Sequence, residues 1–162
     1  MKYQEDLEIA KANKAENKQL VKKLKRFQER KLDEIFHNEH DKVFENIDCL
    51  ECANCCSTTS PIFRDIDIKR LSKRLRVKPV QFIDEYLRVD EDDDYVLKSS
   101  PCPFLMDDNK CFVYEDRPRA CRDYPHTDRK KMYQILPLTQ KNTLVCPAVS
   151  RVMENIREGM NS

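Results

Sequence analysis

The sequence predicts a mainly α fold with a small irregular β element, in which a cysteine-cluster domain follows a long N-terminal helix. Three observations predict it. Residues 1–48 contain no cysteine, proline or glycine, and their apolar residues recur at helical spacing. Residues 49–146 hold all eight cysteines. The β-prone runs in that stretch are short, and turn residues flank them.

The leader, residues 1–48, carries Leu20, Val21, Leu24, Phe27, Leu32, Ile35, Phe36 and Val43. Steps of three and four between them place one apolar stripe along an amphipathic helix. No regular heptad runs through it, which counts against a self-associating coiled coil. Its basic run, Lys18 to Lys31, lacks the interleaved aromatics that stack on bases, and reads as a solvated helix face rather than a nucleic-acid contact.

Residues 49–162 form the expected cysteine-cluster domain with a C-terminal helix. Within it, Asp65 is placed to cap a helix bearing Ile68, Leu71 and Leu75. Pro79 suits the first turn of a second helix with Phe82, Ile83, Tyr86 and Leu87 inward. Glu91 to Asp94 is a solvated acidic loop without the spaced ligands of a calcium site. Tyr95–Leu97 and Cys111–Tyr114 are β-prone runs on either side of a turn at Asp107-Asp108-Asn109, and Tyr133 to Leu138 is expected to add another strand. Val149, Val152, Met153, Ile156 and Met160 trace a final helix that begins near Pro147.

Composition narrows the function. Lys and Arg total 30 against 29 Asp and Glu, so no global charge points to nucleic acid or membrane. One glycine, Gly159, leaves no glycine-rich loop to cradle a phosphate, so turns must rely on Asn, Asp, Ser and Pro. The opening residues are polar, and no run approaches the roughly 20 apolar residues that span a bilayer. A cytoplasmic protein is expected, with reduced thiols, and that favours metal ligation over disulfides.

The thiols fall in blocks: Cys49-x-x-Cys52-x-x-Cys55-Cys56, then Cys102, Cys111 and Cys121, then Cys146. A Cys-x-x-Cys step brings two thiolates onto one ion in zinc and iron–sulfur sites. All eight are candidate metal ligands. They could fill two tetrahedral zinc sites, or one four-iron cluster with four left over, and spacing does not choose. Adjacent side chains usually diverge, so Cys55 and Cys56 are expected to serve different ligand sets. Cys146 stands beside a helix start whose dipole favours thiolate. His126 is the candidate nitrogen ligand, whereas His37 and His40 read as surface residues. Arg117, Arg119 and Arg122 around Cys121 make ordinary ion pairs or offset the negative charge of a thiolate centre.

In this order the blocks resemble the YkgJ-type cysteine-cluster family, zinc- or iron-chelating proteins named for a CxxCxxCC signature. The matching residues are Cys49, Cys52, Cys55 and Cys56; Cys102-Pro103-Phe104-Leu105; Cys111-x-Val113-Tyr114-Glu115-x-Arg117-Pro118; and Cys121-Arg122-x-Tyr124-Pro125. The resemblance covers roughly residues 49–126. The chain departs from it at His126, where many relatives have an aromatic, and at Ala53-Asn54, where a glycine commonly precedes the paired cysteines. The resemblance implies a metal-binding protein holding zinc or iron. The alternative is an iron–sulfur-dependent redox or group-transfer enzyme, since the flagellin lysine methylases join a similar cluster to methyl transfer. Whether the chain is an enzyme stays open, and a protein partner could use the N-terminal helix.

Overall fold

A computed structural model describes residues 3–161, the side chain of Leu50 excepted. In chain order the helices are α1 (Gln4–Ala12), α2 (Lys14–Leu24), α3 (Glu29–Phe44), α4 (Cys49–Cys52), α5 (Asn54–Thr58), α6 (Asp65–Leu75) and α7 (Pro79–Tyr86). Two strands follow, β1 (Leu87–Val89) and β2 (Tyr95–Leu97), then α8 (Arg119–Asp123), α9 (Leu136–Asn142) and α10 (Pro147–Asn161). Helix dominates, with one small antiparallel sheet, as the sequence predicts. Among the described residues, no helix is long and apolar enough to cross a membrane. The chain divides into two compact units. One runs to Cys52 and resumes at Pro125; the other is Ala53–Tyr124.

In the first unit α10 lies against α1 and α3, and α2 packs on α9. Helix α10 buries Val149, Val152, Met153 and Ile156, the stripe expected of it. The leader is helical but broken into three pieces. Asn13, a weak helix former, stands between α1 and α2, and Gln28 is extended at the start of α3. Polar latches fix the leader to α10. Ser150 donates its hydroxyl to the Asp6 carbonyl at 2.7 Å, Arg151 pairs with the Asp6 carboxylate at 2.7 Å, and Arg157 donates to Asn17 at 3.1 Å. The leader's apolar stripe is therefore mostly covered within its own unit, with Leu20, Leu24, Leu32 and Phe36 nearly inaccessible. Its basic residues from Lys18 to Lys31 remain exposed.

The strand expected over Tyr133 to Leu138 does not form. Met132–Ile135 is a 3-10 turn that runs into α9, with Pro137 in the helix's first turn, where its missing N–H costs nothing. The Asp33 carboxylate accepts the N–H groups of Lys131 and Met132, both at 2.9 Å, and so anchors the entry to that turn.

In the second unit β1 pairs with β2 in the register Leu87 to Leu97, Arg88 to Val96 and Val89 to Tyr95. The acidic loop is their hairpin turn, in which Asp90 accepts the N–H groups of Asp92 and Asp94. Leu87 is thus a strand residue rather than part of α7. Cys111–Tyr114 makes one isolated bridge, Leu105 to Cys111, and then a 3-10 turn, Tyr114–Asp116. Phe63, Ile68, Leu71, Phe82, Leu97, Phe104 and Val113 form the core, and Cys102 and Cys111 pack against it. At α6 the capping carboxylate is Asp67, not Asp65: it accepts the Arg64 N–H at 3.0 Å.

With one glycine, left-handed turns fall to other residues. Tyr3, Ala53, Arg76, Asp93, Asn109, His126 and Lys131 all have positive φ. Asp93 and Asn109 are the residue types expected there; the other five carry the steric cost of a Cβ in that region.

Candidate metal centre

The first cysteine block is two short helical turns. The Asp48 carbonyl accepts the N–H groups of Glu51 and Cys52, winding Cys49 and Cys52 onto one turn. Ala53 then takes φ 51°, a left-handed conformation that glycine adopts at least cost. Helix α5 carries Cys55 and Cys56. Its carbonyls are satisfied locally: Ser57, Thr58 and Thr59 return their hydroxyls to Ala53, Asn54 and Cys55 at 3.1, 2.7 and 2.8 Å. The block therefore supplies Cys49 and Cys52 to the first unit, and Cys55 and Cys56 to the second.

In the second unit, Cys56 meets the later thiols. The Cys102 N–H donates to the Cys56 carbonyl at 2.8 Å, and Ser100 donates to the Ser57 carbonyl at 2.8 Å. Residues 102–111 fold back on themselves: Phe112 N–H bonds the Phe104 carbonyl at 2.7 Å, and Met106 N–H bonds that of Lys110 at 2.8 Å. Cys121 rides on α8, its N–H bonded to the Pro118 carbonyl at 2.9 Å. All four sulfurs are half-buried.

The four thiols act on one another's ionisation. Burial pushes the Cys121 thiol up to about 12, and the charges of Cys56, Cys102 and Cys111 push the same way. Burial lifts Cys102 to about 11, with Cys56 and Cys111 adding to it. Cys111 is raised by burial and by Cys56. Cys56 moves oppositely, down to about 7, because the Cys55 thiol donates a hydrogen bond to its sulfur.

In the first unit, Cys146 stands just before α10 with 7% of its surface exposed. Burial pushes it up to about 12 and outweighs the N–H groups of Val149 and Ala148, while the charges of Cys49 and Cys52 raise it further. The helix-dipole effect expected to favour its thiolate is therefore overridden by desolvation. Cys49 is exposed at a cleft of 590 Å³ that Tyr3, Glu45, Asp48 and Glu51 help to line.

Arg117 lies 3.9 Å over the Tyr114 ring, and its charge lowers the pKa of both Cys111 and Cys121. Arg119 pairs with Asp123 at 3.1 Å. Arg122 donates to the Glu115 carbonyl at 2.9 Å. His126 is half-buried with positive φ. His37 and His40, expected at the surface, are half-buried instead. His37 Nε2 meets the Arg129 carbonyl at 2.7 Å, and His40 Nδ1 meets the Thr127 hydroxyl at 2.7 Å.

Sequence reasoning missed Asp67 and Arg70. The Asp67 side chain is 1% exposed and pairs with Arg70 at 2.9 Å. The available signal was an acidic residue three places before a basic one on a helix, which is common and usually superficial.

Among the described residues, no group of three or more His, Cys, Asp or Glu side chains already has the geometry to hold an ion. The donor set fits a soft cation. Half-buried thiols that raise one another's pKa are disfavoured as free anions, and a bound cation inverts that relation.

A family model named CxxCxxCC and described as a "putative zinc- or iron-chelating domain" matches residues 48–147. No curated protein and no solved structure matches the chain.

Proposed function

Because the chain belongs to the CxxCxxCC family, we propose that it chelates zinc or iron through two thiolate sets, one in each unit. Cys56, Cys102, Cys111 and Cys121 form the four-thiolate set of the second unit. Cys49, Cys52 and Cys146 form the other, and three thiolates leave a fourth position to a further donor. Cys55 supports Cys56 through its hydrogen bond. The observation that carries this is the bond from the Cys102 N–H to the Cys56 carbonyl at 2.8 Å, which brings the end of the first block to the later thiols, with Cys102 and Cys111 packed on one core.

Cys56 offers a thiolate near neutral pH and is the natural first contact. The others must release protons as the ion is taken up, so uptake is expected to strengthen with pH. Arg117 then offsets part of the net negative charge that four thiolates leave on a divalent ion. The same four donors would suit the corners of a four-iron cluster. Anaerobic purification followed by metal analysis tests the proposal. Zinc gives a colourless protein and an iron–sulfur cluster a brown one; a chain that takes up neither metal contradicts it.

A further inference from the structure

We propose that Asp67 and Arg70 are positioning residues for Cys121, holding the segment that leads to it in ligating register. This rests on the reading that Cys121 is a metal ligand. Asp67 lies in the first turn of α6, whose apolar face, with Ile68 and Leu71, is set in the core. Its Oδ2 accepts the Arg64 N–H at 3.0 Å, which is all that capping its own helix requires. Its Oδ1 is turned to a distant segment and accepts the Arg119 N–H at 3.2 Å. The same oxygen accepts Arg70 Nη2 at 2.9 Å. Arg70 in turn donates Nε to the Asp116 carbonyl at 3.1 Å and Nη2 to the Arg117 carbonyl at 2.9 Å. One ion pair therefore grips three backbone groups between Cys111 and Cys121.

The grip falls where a helix needs it. Arg119 is the first residue of α8, and a helix's first N–H groups have no partner inside it. Pro118, just before, has no N–H to offer. Asp67 thus acts as a remote cap for the five-residue helix that carries Cys121. A helix this short has little stability of its own, so the direction of its thiol depends on what holds its start. A carboxylate with 1% exposure is costly to bury unless its oxygens are occupied, and here both are.

The test uses the full chain carrying Cys146→Ser, which isolates the second unit's set, as the parent, with cobalt(II) as the probe, because the intensity of its thiolate charge-transfer bands reports how many sulfurs bind. Asp67→Asn and Arg70→Gln are expected to weaken cobalt and zinc binding by about 10–100-fold, the range for residues that orient a ligand. They should dim the cobalt spectrum as Cys121→Ser does. Adding Cys121→Ser to Asp67→Asn should then cost nothing further. Phe82→Leu, a core change in the same unit, controls for simple destabilisation and should lower the melting temperature while keeping the full spectrum. Should Asp67→Asn fail to fold, Arg70→Gln carries the test. A parent spectrum typical of four thiolates that is unchanged in both variants, or dimmed equally by Phe82→Leu, overturns the positioning role alone. A parent that takes up no metal overturns the chelation reading on which it rests.

Discussion

The backbone N–H of Cys102 donates to the carbonyl of Cys56 at 2.8 Å, so two thiols far apart in sequence are joined through their main chains. That bond ties the first cysteine block to the later ones inside a single unit. It also gives Cys56 and Cys55 different tasks. Cys56→Ser should abolish metal at the second unit's centre. Cys55→Ala should keep the ion but move half-uptake to higher pH, because the hydrogen bond that lowers Cys56 is gone. Metal stoichiometry and uptake against pH separate the two; identical profiles would contradict the division.

The raised thiols set an alkaline limit on the metal-free fold. Cys102 is pushed up to about 11, and Cys121 and Cys146 to about 12, from an ordinary 9.0. Between those values the unfolded chain has released protons that the folded chain still holds. Stability therefore falls as pH climbs from 9.0 toward 11 and 12. Cys56 works the other way: its contribution is present above 9.0 and is lost as pH falls through about 7. In the metal-loaded protein the thiolates no longer titrate in this window. Urea midpoints at about pH 8 and about pH 10.5 should drop more for the metal-free chain than for the loaded one. An equal drop would count against the buried-thiol account.

Phe82 lies in the middle of the second unit's core. It is fully buried, with ring centroids 5.2 Å from Tyr86 and 6.3 Å from Phe104, while Cys102 and Cys111 pack on the same cluster. Phe82→Ala should cost about 3–5 kcal/mol. Saturating zinc should restore part of that loss, since binding to the folded form adds to its stability. A zinc-insensitive unfolding midpoint in this variant would separate core from centre.

Arg76 ends α6 with φ 58° and is exposed. Replacing it by glycine removes the Cβ cost at a helix C-terminus, and Arg76→Gly should stabilise the chain by about 1 kcal/mol. Metal affinity should not change. A loss of stability would mean that the arginine side chain contributes more than its backbone strain costs.

How much of this was legible in the sequence depended on distance along the chain. The Cys-x-x-Cys steps, the helix at Pro79 and the stripe of α10 are local patterns, and they were readable. The helix over Leu136–Asn142 was misread because a short apolar run fits either period and Pro137 suits a helix's first turn. The bond from Arg119 to Asp67 joins segments whose adjacency no local pattern encodes. The division of the first block between two units was equally hidden.

The central claim is that Cys56, Cys102, Cys111 and Cys121 close on one metal centre. X-ray absorption at the metal edge of anaerobically purified protein tests it most directly, read beside the Cys146→Ser variant to isolate the second unit. The account predicts a first shell of sulfur at about 2.3 Å, retained in Cys146→Ser and lost when Cys56→Ser is added to Cys146→Ser. A shell of oxygen and nitrogen, or no metal above background, would contradict it.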